Sequence, residues 1–331
     1  MLEIIILIVI LAILFDISNG WNDSANAIAT VVSTRVLSPL QAVLMAASMN
    51  ILGAMVSTAV AKTIGKGIVD PSILSGHQGV VAAALVAGFL WNGLMTLFGL
   101  PVSASHALIG GVMGAGIAFG GTEILNLAGL TKIFTALLTS PIFGILFGFI
   151  VMKMLMRFFC NISPGAVNKH FGRLQIVSSG FMAFSHGMND AQKAMGVITL
   201  ALFTGGYITS IEVPLWVILS CGLAMGLGTA LGGWRVIRTL GHQMLKLRPV
   251  HGFAAETSAV AVIAGASALG LPVSTTHVIT TSIMGVGATK RLSAVRWGVA
   301  GKILMAWIFT LPACIVLSWL TYEVLVMFGI Q

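Results

Sequence analysis

Gly20-Trp21-Asn22-Asp23-Ser24-Ala25-Asn26-Ala27 and His186-Gly187-Met188-Asn189-Asp190-Ala191-Gln192-Lys193 each set an Asn-Asp pair inside an apolar run long enough to cross a bilayer. A carboxylate at membrane depth costs about 2.5–3.5 kcal/mol even on the permissive insertion scale, so it faces partners, ions or a cavity. The two Asn-Asp pairs stand 167 residues apart. That spacing predicts two halves sharing one central site.

Composition sets the class. Of 331 residues, 57% are hydrophobic and only 8% charged, against about 25% charged in a soluble domain. The mean hydropathy is +1.03. The apolar runs are continuous and lack period-two alternation, which predicts an all-α polytopic membrane protein and not a barrel. The 39 glycines fit close helix packing in lipid. The net charge of +8 does not point to nucleic acid, because most basic residues sit in short loops between spans. Cys160, Cys221 and Cys314 are scattered and form no metal-ligand spacing. The N-terminus carries Glu3 and no basic leader, so residues 4–15 read as part of a retained first span.

In chain order, the first apolar run covers 2–34, longer than the about 20 residues one span needs. The polar Asp16–Asn26 stretch predicts a broken or kinked helix around the Asn-Asp pair. A span at 37–61 follows, and a run at 79–100 leads into Pro101-Val102-Ser103-Ala104-Ser105-His106 and a Gly-rich segment. A span at 131–156 closes repeat 1, residues 1–157. A basic connector, 158–174, holds Lys169, Arg173 and a Ser163-Pro164-Gly165 turn. Repeat 2, residues 175–331, runs through a broken span at 175–204, a span at 213–234, a run at 252–271 ending in Pro272-Val273-Ser274-Thr275-Thr276-His277, and a last span at 298–327. Gly-Leu-Pro-Val-Ser at 99–103 recurs identically at 270–274, an offset of 171. Both motifs recur in the same order, the mark of an internal duplication.

Charge orients the spans. With the N-terminus outside and an odd number of passes per half, the second half lies inverted. The inside ends then collect 12 of the 17 basic residues, among them Arg35, Arg157, Lys169, Arg235, Arg248 and Arg296. The outside ends collect five of the nine acids: Glu3, Asp70, Glu123, Glu212 and Glu323. Inverted repeats whose broken helices meet at mid-membrane are the architecture of many secondary transporters. The Pro-Val-Ser elements enter this scheme as re-entrant or half-helix hairpins.

The hairpins carry the first chemistry. Proline at a first helical position starts a helix readily, and Leu100 and Leu271 before the prolines offer no capping oxygen. Free amides at Ser103–Ser105 and Ser274–Thr276 are then available to an anion at the positive helix end. The hydroxyls of Ser103, Ser105, Ser274, Thr275 and Thr276 suit a tetrahedral oxyanion, with Asn22 and Asn189 beside them. Asp23 and Asp190, with Asn26, make a hard oxygen set for sodium or a proton. Two carboxylates beside an anion leave uncompensated negative charge in a low dielectric, which Lys193 offsets in part. A cation must accompany the anion for the rest, which predicts symport. Glu256, His106 and His277 are further candidates for coupling, and Asp16 a weaker one. The glycines at 110, 111, 114, 116, 285 and 287 read as packing contacts.

At these residues the sequence resembles the inorganic phosphate transporter (PiT) family. Gly-Trp-Asn-Asp-Ser-Ala-Asn-Ala is similar to the family's first signature, with Trp21 and Ser24 where Ala and Val are usual. His186-Gly-Met-Asn-Asp-Ala-Gln-Lys-Ala-Met-Gly196 is similar to the second, and Pro-Val-Ser-Thr-Thr-His at 272–277 is its hairpin motif. The first hairpin departs, with Ser103-Ala104-Ser105 in place of the threonines. The resemblance covers nearly the whole chain and implies secondary uptake of inorganic phosphate across the cell membrane, without a cofactor. Sodium drives some members and protons others, and some bacterial members take a neutral metal-phosphate complex. Sulfate permeases among its relatives give the rival substrate, another tetrahedral oxyanion. The family also implies a homodimer. An intramembrane serine hydrolase, the main rival class, needs one nucleophile and one base, whereas every feature here is doubled. A passive channel fits poorly with a sealed mid-membrane site.

Overall fold

The computed structural model describes residues 2–330. Repeat 1 runs through α1 (Leu2–Ser33), α2 (Pro39–Ala54), α3 (Ala59–Gly67), α4 (Gly79–Phe98), α5 (Ala104–Gly120) and α6 (Leu127–Phe158). Repeat 2 gives the same succession in α7 (Pro164–Thr204), α8 (Leu215–Leu231), α9 (Trp234–Arg238, prolonged by a π turn to Gln243), α10 (Pro249–Ala268), α11 (Thr275–Ala288) and α12 (Trp297–Met327). A single 3-10 turn precedes α6 and another precedes α12. Among the described residues, four helices (α1, α4, α6, α12) are each long and apolar enough to cross a membrane, or six if each of the bent pairs α2–α3 and α8–α9 is one span. The stretch from Pro164 onward is already helical, so much of the basic 158–174 segment forms the first turns of α7.

The two halves are inverted and interlocked. One apolar core joins Ile5, Ile8 and Phe15 of α1 to Leu200 and Ala201 of α7. The other joins Ile28 and Val31 of α1 to Met182 and Ala183 of α7. The start of each long helix therefore lies beside the end of the other, and Thr34 at the end of α1 donates to Gln175 near the start of α7 at 2.9 Å. Each half completes the other: α1 packs on α8 as α7 packs on α2, and α5 packs on α12 as α11 packs on α6. Glycine permits these approaches. A Cβ at Gly20 would lie 2.5 Å from the Met225 carbonyl, and one at the equivalent Gly187 2.1 Å from the Asn50 carbonyl. Gly114 and Gly285 likewise meet the Ile315 and Ile145 carbonyls at 2.1 and 2.2 Å.

The helices break elsewhere than the polar stretches predict. α1 and α7 run unbroken through both Asn-Asp pairs. Asp16, Asn19, Asp23 and Asn26 recur at helical spacing, so they share one face. Asn19, Asp23 and Asn26 each reach partners on other helices, so these side chains are met without opening the backbone. The breaks fall instead between α2 and α3, bent by 70°, and between α8 and α9, bent by 63°. Gln192 caps the first of these breaks, accepting from the Val60 and Ala61 amides at 2.8 and 3.0 Å. Ser24 serves the second, accepting from the Gly233 amide at 2.7 Å.

The recurring Gly-Leu-Pro-Val-Ser acquires a different reading. Gly99 and Gly270 end α4 and α10 in the left-handed conformation, with φ of 71° and 66°. Proline beyond a helix end blocks its continuation. The next helix begins only after Ser103 or Ser274, which act as N-caps, so the prolines lie in the extended linkers and not at a first helical position.

Candidate functional site

The polar residues form a layer between the two apolar cores. Asn22 and Asn189 hold the hairpins in that layer. Asn22 donates to Thr96 (2.8 Å) and to the Leu100 carbonyl (3.3 Å), and accepts from the Val102 amide (3.3 Å). Asn189 repeats the pattern with Ser267 (2.8 Å), the Leu271 carbonyl (3.3 Å) and the Val273 amide (3.4 Å). Each carboxamide has two donors, and both are spent. In these two residues, expected at the anion, both side-chain N–H groups are engaged by the neighbouring helix and linker.

The hairpin hydroxyls divide by role. Ser103 and Ser274 cap their own helices through the His106 and His277 amides at 3.2 and 3.3 Å. Ser105 crosses to the Val273 carbonyl of the other hairpin at 2.8 Å. Thr275 and Thr276 face α1 instead. Thr276 donates to Asp23 Oδ1 (2.9 Å) and accepts from Asn26 Nδ2 (3.0 Å); Thr275 does the same more loosely, at 3.4 and 3.3 Å. The starts of α5 and α11 meet at this point, where the His106 and His277 ring centroids lie 4.9 Å apart. Among the described residues, no hydrogen bond engages the amides of Ala104, Ser105, Thr275 or Thr276. Four amide donors thus converge on the layer from two positive helix ends.

The carboxylates lie beside them, buried to within 2% of full burial. His186 Nε2 stands 3.7 Å from Asp23 and 3.6 Å from Asp190, and its Nδ1 meets Asn50 Oδ1 at 2.9 Å. Lys193 Nζ is 2.7 Å from Asp190 Oδ2. Asp23, His186 and Asp190 bring ligand atoms within 4.8 Å of one another, the spacing of a cation site. Among the described residues, buried acceptors around them lack partners: Asn19 Oδ1, Asn26 Oδ1, Asp190 Oδ1 and both oxygens of Asp16. An unpaired buried acceptor costs about 1–3 kcal/mol, so this set is poised for a cation or a proton.

Glu256 belongs to another cluster. It accepts from Thr30 at 2.5 Å, from Gln175 at 3.2 Å and from Ser178, at the junction of α1, α7 and α10 and away from the central carboxylates. His277 stacks on Trp307 at 3.8 Å. Asn19 and His186 were not among the expected site residues. They share the 167-residue offset and lie one turn before Asp23 and Asp190, a signal present in the sequence.

A membrane bundle of inverted repeats, with helix starts and buried carboxylates meeting at its centre, is the architecture of a transporter and not of an enzyme. The model of the phosphate transporter family matches residues 19–169 and again 161–318, one match per half, and the chain belongs to that family. The chain is 48% identical over 98% of both chains to a probable low-affinity inorganic phosphate transporter of Bacillus subtilis. It is 45% identical to one of Rhizobium meliloti, over 95% of this chain and 94% of that one. Its fold matches a solved structure titled the sodium-dependent phosphate transporter with a TM-score of 0.90, at 28% identity over 98% of this chain and 99% of the other.

Proposed function

We propose that this protein imports inorganic phosphate across the cell membrane by cation symport, with alternating access to one mid-membrane site. The observation that carries this reading is the meeting of the α5 and α11 starts, with four open amides, beside the Asp23–Asn26–Thr275–Thr276 oxygen set. The amides attract a tetrahedral anion. Asp23 repels the same anion unless a cation lies between them. Carboxylate, amide and hydroxyl oxygens together suit a hard cation, which favours sodium, and the solved relative of the same fold is titled sodium-dependent.

The test is uptake of radiolabelled phosphate into proteoliposomes under imposed sodium or proton gradients, with sulfate and arsenate as competitors. Accumulation that follows the sodium gradient supports the reading. Accumulation that follows only a proton gradient replaces sodium by a proton, and none under either gradient defeats symport. T276V removes one hydroxyl while keeping the shape. The bond this hydroxyl donates to the Asp23 carboxylate is one to a charged group, worth about 1.5–3 kcal/mol, so apparent phosphate affinity at fixed sodium, which depends on the cation set, is expected to fall about ten- to hundredfold. Raising sodium is expected to restore part of it. An unchanged affinity in both T275V and T276V refutes the placement.

The basic ends are proposed to face the cytoplasm. In a background without Cys160, Cys221 and Cys314, K169C and K246C are expected to resist an impermeant thiol reagent applied to intact cells, while K62C is labelled. All three positions are exposed. Rapid labelling of K169C or K246C reverses the orientation.

A further inference from the structure

The duplication lets one half serve as a control for the other. At the offset of 167, Asp23 corresponds to Asp190 and Asn26 to Lys193; at 171, Thr275 corresponds to Ala104 and Thr276 to Ser105. The first group offers only oxygen: a carboxylate, two hydroxyls against it, and Asn26 Oδ1, buried and without a partner. The second group differs at three of four positions, all in one direction. Ala104 has no hydroxyl. The Ser105 hydroxyl is turned to the Val273 carbonyl. The neutral amide has become an ammonium, 1% exposed and 2.7 Å from Asp190 Oδ2.

We infer that Lys193 is a tethered cation: its ammonium occupies, beside Asp190, the place that a mobile cation takes beside Asp23. This rests on the symport reading, which needs positive charge beside both carboxylates as the anion enters. A fixed ammonium supplies that charge in the second half on every cycle, without an ion from solution. The first half alone then exchanges its cation with the medium. A lysine serves here because its charge is compact and its stem flexible, so it stays with Asp190 as the layer changes shape. Losing such a buried partner leaves an uncompensated carboxylate, which must recruit another cation or a proton.

The test counts ions and does not depend on transport. Sodium-22 binding is measured by equilibrium dialysis on purified wild type, K193Q and A104T/K193N, after size-exclusion chromatography confirms folded protein. K193Q replaces the ammonium by an amide oxygen, and A104T/K193N brings two of the three differing positions back to the residues of the first half. Each is expected to bind one sodium ion per protomer more than wild type, and the sodium dependence of phosphate uptake is expected to steepen. An unchanged ion count in the folded variants overturns the inference. So does a wild type that already binds sodium at Asp190, shown by loss of an ion in the charge-conserving D190N/K193M; this arm decides the matter if the other variants misfold. A wild type driven by protons and without its own sodium ion removes sodium from the proposed function. The additional ion in the variants still decides the role of Lys193.

Discussion

D23N is expected to reduce phosphate uptake to background at ordinary sodium concentrations. Asp23 is 2% exposed and holds Thr276 at 2.9 Å, and with Asn26 Oδ1 and two hydroxyls it makes the oxygen set assigned to the cation. Removing one partner of a buried charge pair costs about 3–5 kcal/mol, which is about two to four decades in cation affinity. The amide keeps nearly the same volume and still accepts from Thr276 through its oxygen, so the fold is expected to survive. Phosphate binding without cation should not weaken, because one repulsion has gone. The measurement is phosphate binding and uptake over a sodium titration, wild type beside D23N. If D23N kept the wild-type sodium dependence and lost only phosphate affinity, Asp23 would be an anion-site residue and the division of labour would fail.

D190N is expected to behave differently, because its neighbour is already positive. That variant leaves Lys193 unbalanced near the first cation set, so it lowers cation affinity by repulsion on top of the loss of the Asp190 oxygen near Asp23 and His186. Sequence alone assigns both aspartates the same task. The distinction becomes visible only when Ala104, Ser105 and Lys193 are seen beside Asp190, while Thr275, Thr276 and Asn26 are seen beside Asp23.

Much of the architecture was legible because a duplication repeats its own evidence. The two Asn-Asp pairs and the two Gly-Leu-Pro-Val-Ser segments locate both halves, and apolar runs locate the spans. The helix breaks were not legible. Polarity in the middle of a span can mean an opened backbone or a continuous helix whose polar face meets partners from a distant part of the chain. The partners of Asn22 (Thr96, Leu100 and Val102) lie about 80 residues away, and a local reading does not reach them. The hairpin proline was ambiguous for a related reason. It can open a helix or block the continuation of the previous one, and the left-handed Gly99 and Gly270 before it select the second. Serine was similarly ambiguous, since the same hydroxyl accepts from the cap amide and keeps one O–H to donate.

N189A separates those two kinds of role for the signature asparagines. The side chain makes three contacts with the second hairpin, and truncation leaves the Leu271 carbonyl and the Val273 amide without this partner in a layer that water does not freely reach. Each unsatisfied buried group costs about 1–3 kcal/mol, so several kcal/mol of local stability is at stake. The hairpin linker is also what places the Thr275 and Thr276 amides. N189A is therefore expected to melt well below wild type in detergent and to lose phosphate uptake even at high sodium and high phosphate. N22A is expected to do the same through the first hairpin. T276V, by contrast, keeps both asparagine clamps and loses only the contacts of one hydroxyl with Asp23 and Asn26, so it should melt above N189A while its affinity falls. Melting followed by tryptophan fluorescence, together with phosphate binding to the same samples, distinguishes the two. If N189A melted like wild type and merely bound phosphate more weakly, Asn189 would be a direct ligand of the anion and the clamp would be wrong.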